Sequence, residues 1–125
     1  MALIDLDHTV TLSMTVSDRH ASAQWYADML GFSLLFHADD AGWTEMATNT
    51  PGLTLGFGTQ APVATSSTIP VFGVADIATA RAALEAAGVA FDGPTETMEG
   101  MVALSTLFDP DNNKLMLAQN LMQGA

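Results

Sequence analysis

The chain has 125 residues, of which 49% are hydrophobic and 14% are charged. This size fits one domain, and the apolar content excludes intrinsic disorder, collagen-like repeats and coiled coil. Fourteen acidic and three basic side chains give a formal net charge of -11, which repels a phosphate backbone, so we expect no nucleic-acid partner.

The first half of the sequence predicts one strand, one helix and three further strands. Hydroxyl and apolar side chains alternate over residues 9–16, as in a strand with one apolar face. Ser17 or Asp18 can cap a helix that begins there, and Gly31 can end it in a left-handed conformation. The next strands are predicted at 33–37, 43–47 and 53–58.

The same order of elements restarts after a linker at 61–68, which is rich in Ala, Ser and Thr. A strand at 69–74 leads to Asp76 as a helix cap, and Gly88 ends that helix. A short strand is predicted near 89–91, followed by a loop that contains Pro94 and Gly100. The chain then predicts a strand at 101–108, a turn at 109–113 and a last strand at 114–118.

Neither the cysteine content nor the start of the sequence indicates secretion. The absence of cysteine excludes disulfides and thiolate metal sites. No basic segment followed by an apolar one begins at Met1, and no apolar run approaches the ~18 residues that cross a bilayer. We therefore expect a cytoplasmic protein with no membrane partner.

Several motifs carry a family resemblance that extends over nearly the whole chain. They are Val16-Ser17-Asp18, Trp25-Tyr26, Leu30-Gly31-Phe32, Val74-Ala75-Asp76-Ile77 and Phe108-Asp109-Pro110-Asp111-Asn112-Asn113-Lys114-Leu115. Together they resemble the vicinal-oxygen-chelate superfamily, which includes glyoxalases, extradiol dioxygenases and bleomycin resistance proteins. The resemblance implies an α+β fold in one domain over 1–125. Two βαβββ modules, at about 9–60 and about 69–119, would form incomplete barrels that line a cavity.

The resemblance also implies where a metal would bind in the enzymes of this group. Their ligands, usually His, Gln or Glu, point into the barrel from the first and last strands of each module. Here the positions fall on Thr11, Ile69 and Met116, with a fourth within 53–58. Threonine is a poor ligand, isoleucine is none, and a thioether suits soft monovalent copper. We therefore expect no metal and no cofactor, which removes the main argument for metal-assisted catalysis.

The three histidines, His8, His20 and His37, show no spacing of a local metal motif. They are interpreted as ordinary surface or core residues. The alternative is a new metal site built from His37, Glu45 and a neighbour.

The predicted cavity has apolar walls with a few hydroxyl groups. If Thr11 points inward, strand alternation brings Ser13 and Thr15 to the same face. Trp43 and Glu45 also share a face, where a carboxylate beside an indole could hold a cationic or hydrogen-bond-donating ligand. The alternative is that Trp43 covers the sheet edge and Glu45 is solvated.

The predicted function is metal-independent sequestration of a small, partly apolar ligand, with a cation as one option, as in bleomycin resistance proteins. The candidate ligand-binding residues are Thr11, Ser13, His37, Trp43, Glu45, Ile69, Met101 and Met116. The resemblance implies a homodimer. Two enzyme alternatives remain: acid–base catalysis by Glu45 or His37 without metal, and glyoxalase-, epimerase- or dioxygenase-type catalysis with a metal.

Overall fold

The computed structural model describes residues 2–122. The chain divides between Ala64 and Thr65 into two compact units. Each unit has the element order βαβββ and contains one four-stranded mixed sheet, which is open and not closed into a barrel. The predicted α+β class with two βαβββ modules is confirmed.

The first unit begins with strand β1 (Val10–Val16) and helix α1 (Arg19–Leu30). Strands β2 (Ser33–Ala38), β3 (Trp43–Ala47) and β4 (Leu53–Thr59) follow, with a 3-10 turn at Asp39–Ala41 between β2 and β3. The strands lie in the order β1-β4-β3-β2. β1 runs parallel to β4, and the other pairs are antiparallel. The strand bounds predicted from alternation agree within one residue.

Helix α1 forms where the predicted capping residues stand and covers one face of this sheet. The Asp18 carboxylate accepts hydrogen bonds from the backbone N–H groups of His20 and Ala21, and Gly31 ends the helix with a φ of 73°. Tyr26 of α1 is fully buried, and its ring centroid lies 5.1 Å from that of Phe57 in β4. Burial of these apolar side chains stabilises the helix against the sheet.

The second unit repeats this arrangement with strand β5 (Val71–Gly73) and helix α2 (Ile77–Ala86). Strands β6 (Glu96–Met98), β7 (Val102–Phe108) and β8 (Lys114–Asn120) complete a sheet in the order β5-β8-β7-β6. The two helices have 12 and 10 residues. Within residues 2–122, neither has the length and apolar character that crossing a membrane requires.

The strand predicted near 89–91 is wrong. Val89 is buried, and its backbone N–H donates to the Leu84 carbonyl at 3.0 Å, so it bonds back to the end of α2 and not to a strand. Phe91 makes only an isolated bridge to Leu107. The edge strand β6 forms inside the predicted loop, because a turn with Gly100 at a φ of 72° folds it back onto β7.

Each unit also places an arginine against a buried hydroxyl on the helix-facing side of its sheet. Arg19 Nη1 donates to Thr44 Oγ1 at 3.0 Å, and Thr44 is fully buried. Arg81 Nη1 lies 3.5 Å from Oγ of Ser105, which is 1% exposed and has a closer partner in Thr95 Oγ1 at 2.6 Å. Buried hydroxyls need hydrogen-bond partners, and in both units an arginine of the helix lies beside one.

The turn between β7 and β8 is organised by the buried carboxylate of Asp109. Its Oδ1 accepts from the backbone N–H groups of Asp111 at 2.9 Å and Asn113 at 2.8 Å, and its Oδ2 accepts from Asn113 Nδ2 at 3.0 Å. Asn112 takes a φ of 66°, which asparagine tolerates well. The turn predicted from this Asp-Pro-Asp-Asn-Asn segment is therefore confirmed.

Replacing Asp109 with alanine should lower the free energy of unfolding by about 3 kcal/mol, because it removes the acceptor of several buried or half-buried donors. Chemical denaturation monitored by circular dichroism measures this loss. Pro110→Ala, at an exposed position in the same turn, is the control and should cost under about 1 kcal/mol. Equal effects of the two substitutions would contradict the role given to the carboxylate.

The cap of α2 predicts a pH-dependent contribution to stability. The backbone N–H of Thr79 donates to Asp76, and this hydrogen bond holds the pKa of Asp76 below its usual value of 3.8. A lowered folded-state pKa means that the stabilisation is complete above 3.8 and is lost as the pH falls through the lower folded value. Asp76→Ala should therefore destabilise the protein more at neutral pH than in acid. Asp76→Asn keeps a capping oxygen and should lack this pH-dependent component.

Candidate ligand-binding site

One face of the first sheet is packed under α1, and the other face is free of the helix. On β1, the fully buried Val16 points toward the helix, whereas Thr11 and Ser13 lie on the opposite face and are exposed. We call this second surface the open face. The strand register places Thr54, Gly56 and Gly58 of β4 beside Thr11, Ser13 and Thr15.

A hydrogen-bonded cluster on the open face centres on Glu45. Its Oε1 accepts from Trp43 Nε1 at 2.9 Å, and its Oε2 accepts from Thr54 Oγ1 at 3.0 Å. The hydroxyl oxygens of Thr11 and Thr54 lie 2.8 Å apart. We call these four residues, Thr11, Trp43, Glu45 and Thr54, the Glu45 cluster.

The acceptor oxygen of Glu45 fixes the direction of the hydroxyl hydrogen bonds. A hydroxyl has one proton, and that of Thr54 is donated to Glu45. Thr11 must therefore donate its own proton to Thr54. As a result, the exposed Thr11 oxygen can only accept hydrogen bonds from a ligand.

Trp43 can take this position because residue 56 has no side chain. A Cβ atom built on Gly56 would lie 1.9 Å from Trp43 Cζ2 and 2.5 Å from Cη2, so the indole lies directly against the β4 backbone. Such a close approach is what a glycine inside a strand often indicates. Sequence reasoning placed Gly56 in a strand but did not assign it this role.

Phe36 adds an apolar surface next to the carboxylate. It pairs directly with Glu45 across β2 and β3, so the two side chains share the open face. Its side chain is 48% exposed. The candidate site therefore combines acceptor oxygens with two aromatic rings, those of Trp43 and Phe36.

His37, another predicted site residue, lies on the opposite face of the sheet. It pairs with Thr44, and its Nδ1 lies 2.8 Å from the buried Thr44 hydroxyl. Glu45 follows Thr44 on the strand and points the other way. A site containing both His37 and Glu45 is therefore not formed, because strand alternation separates them.

The other predicted residues, Ile69, Met101 and Met116, belong to the second unit. Met116 pairs with Val71, and the backbone N–H of Met116 donates to the carbonyl of Pro70, which follows Ile69. Ile69 and Met116 are half-buried, whereas Met101 is 54% exposed in the turn between β6 and β7. That these three side chains share one hollow with Thr11 stays a prediction.

A family model described as the Glyoxalase/Bleomycin resistance protein/Dioxygenase superfamily matches residues 5–117. A search of the curated proteins finds no match.

Solved structures similar to this chain include an antibiotic binding protein, TnmS3, from Streptomyces sp. CB03234. That likeness has 26% identity and a TM-score of 0.74 and covers 94% of this chain and 98% of that one. A superfamily member from Sphaerobacter thermophilus is 20% identical with a TM-score of 0.77, and the match covers 95% of this chain and 100% of that one. A bleomycin resistance determinant encoded on transposon Tn5 is 23% identical with a TM-score of 0.69, and the match covers 90% of this chain and 97% of that one.

Substitution of Gly56 tests the placement of Trp43. Gly56→Ala should displace the indole from Glu45 and lower the free energy of unfolding by about 2 kcal/mol, because the new methyl group overlaps the ring. The emission of Trp43 in a Trp25→Phe background reports the displacement. Gly58→Ala is the matched control, since a Cβ there would lie 4.0 Å from Trp43 Cζ3. Unchanged emission in Gly56→Ala would contradict the packing described.

Proposed function

Because the chain belongs to the Glyoxalase/Bleomycin resistance protein/Dioxygenase superfamily, we propose that it sequesters a small molecule without the help of a metal. The ligand we propose combines an apolar part with a cationic or hydrogen-bond-donating group. The observation that carries this proposal is the Glu45 cluster on the open face of the first sheet.

The cluster offers acceptors and an apolar surface, and this pairing selects the ligand class. Each Glu45 oxygen accepts one hydrogen bond from within the cluster and keeps lone-pair capacity for a second. An ammonium or amidinium group could use that capacity in charge-assisted hydrogen bonds. The rings of Trp43 and Phe36 would contact the apolar part, and the net charge of -11 favours the approach of a cation.

The donor set at the family's metal positions supports binding without a metal. In the first unit, the β1 position carries Thr11, and the range predicted to hold the second position, 53–58, contains no His, Asp, Glu, Asn or Gln. The positions in the second unit carry Ile69 and Met116. A hard divalent metal needs about three good ligands, and side chains of these types do not fit it.

Two further observations favour binding over acid–base catalysis. Both oxygens of Glu45 already accept hydrogen bonds from the protein, and Nδ1 of His37 lies 2.8 Å from the buried Thr44 hydroxyl on the helix side of the sheet, away from the Glu45 cluster. Similarity to TnmS3, an antibiotic binding protein, supports the same conclusion. We also propose that the protein is a homodimer, which light scattering after gel filtration would test.

A thermal-shift screen with cationic aromatic amines and their neutral isosteres tests the ligand class, because binding to the folded state raises the unfolding midpoint. For a cation that binds, Glu45→Gln should weaken affinity roughly tenfold, or about 1.4 kcal/mol. The neutral isostere should be affected less. Isothermal titration calorimetry measures both affinities.

Asp28→Asn provides a control that is matched in charge. Asp28 is an exposed residue of α1, which covers the other face of the sheet, and its substitution should leave the affinity unchanged. Equal affinities of the parent protein and Glu45→Gln for the cation would contradict the proposed site. Metal independence would be contradicted by two results together. The protein purified without added metal would contain about one divalent metal per chain, and chelation would remove both the metal and ligand binding.

A further inference from the structure

A second polar cluster lies at the edge of the first unit, on the helix side of the sheet. It consists of His20, His37 and Asp39, and one ligand atom from each of these side chains lies within 4.8 Å of the others. We propose that this cluster is a binding site for a divalent transition metal of the zinc type. The proposal does not rest on the proposed function, which concerns the opposite face of the sheet.

The fold brings these residues together from separate elements. His20 stands in the first turn of α1, His37 near the end of β2, and Asp39 at the start of the 3-10 turn. His20 Nε2 lies 2.9 Å from Asp39 Oδ1, and the two imidazole rings stack with centroids 3.7 Å apart. A metal bound here would therefore connect the beginning of the helix to the end of the edge strand.

The ligand types select the class of metal. Two imidazole nitrogens and one carboxylate oxygen are a donor set typical of Zn²⁺, Ni²⁺ and Cu²⁺, whereas Mg²⁺ and Ca²⁺ prefer oxygen ligands alone. Three protein ligands leave further coordination positions for water. We therefore expect the cluster to bind Zn²⁺, Ni²⁺ and Cu²⁺ more tightly than Mg²⁺ and Ca²⁺.

Binding requires a small rearrangement of exposed side chains. Bonds of about 2.1 Å to a tetrahedral ion place the ligand atoms roughly 3.4 Å apart, so separations of up to 4.8 Å must shorten by up to about 1.4 Å. The two rings are only 14° from parallel, and one must turn so that a metal can lie in both ring planes. His20 can turn because its side chain is 57% exposed, and that of Asp39 is 60% exposed.

His37 is the anchored member of the cluster. Its Nδ1 lies 2.8 Å from Thr44 Oγ1, which also accepts a hydrogen bond from Arg19. The direction of the His37 contact depends on the tautomer: in the one with the proton on Nδ1, Thr44 accepts from both groups and Nε2 carries a lone pair for a metal. A hydrogen bond of this kind commonly orients histidine ligands.

The neighbouring cation Arg19 does not block the site. Its Nη1 lies 3.0 Å from Asp39 Oδ1 but also donates to Thr44 and to the Trp43 carbonyl, and its Nε donates to Thr59. Arg19 therefore keeps its position if Asp39 moves to a metal.

Thermal unfolding with ZnCl₂ or MgCl₂ tests this site in the full chain. Zn²⁺ at about 100 times its Kd should raise the unfolding midpoint by roughly 5–10 °C, and Mg²⁺ at the same concentration should not. His20→Ala and His37→Ala should each abolish the shift. His20→Ala is informative even if His37→Ala fails to fold, because His20 is exposed.

The matched control is His8→Asn, which removes the remaining histidine. His8 has a φ of 68°, which asparagine tolerates, and its substitution should leave the Zn²⁺ shift intact. Glu45→Gln should also leave it intact, which separates this site from the open face. Cu²⁺ electron paramagnetic resonance should show two bound nitrogens, and one in His20→Ala. Absence of a Zn²⁺ shift, or a shift that persists in His20→Ala, would overturn the proposal.

Discussion

The arrangement of the first unit depends on one constraint: a single helix can cover only one face of a four-stranded sheet. Burial of Val16, Leu55 and Phe57 beneath Tyr26 stabilises the fold and fixes which face of each strand points toward α1. Strand alternation then assigns the neighbouring residues to the other face. The polar groups of the open face can cluster there because the apolar core is complete without them.

The same constraint operates in the second unit, but its open face has a different chemistry. Both units place an arginine against a buried hydroxyl under the helix. On the open faces, the first unit carries the Glu45 cluster, whereas the second carries Val71, Met116 and Ala118. The duplicated fold therefore shares its way of closing the core and differs in the surface that it leaves for recognition.

Local sequence patterns were sufficient to predict most elements, because period-two alternation and capping residues act over a few positions. The predictions failed at 89–91, where Val89 bonds back to the end of α2 and Phe91 forms only an isolated bridge. Trp43 and Glu45 were identified from alternation within one strand. Thr54 and Gly56 could not be assigned roles, because these depend on the register between strands. The cluster of His20, His37 and Asp39 was missed for a related reason, since 19 residues separate its ends and no local spacing marks it.

The chain of hydroxyls that ends at Glu45 has a consequence for how specificity could change. The acceptor oxygen of Glu45 orients the Thr54 proton toward itself, and the Thr54 oxygen in turn orients the Thr11 proton. A neutral residue at position 45 that accepts no proton would release both hydroxyls to rotate. The Thr11 proton could then point outward, and the rim of the site would offer a donor where it previously offered only lone pairs. A substitution on β3 could thus change the hydrogen-bonding character of Thr11 on β1 from acceptor to donor, without altering the backbone.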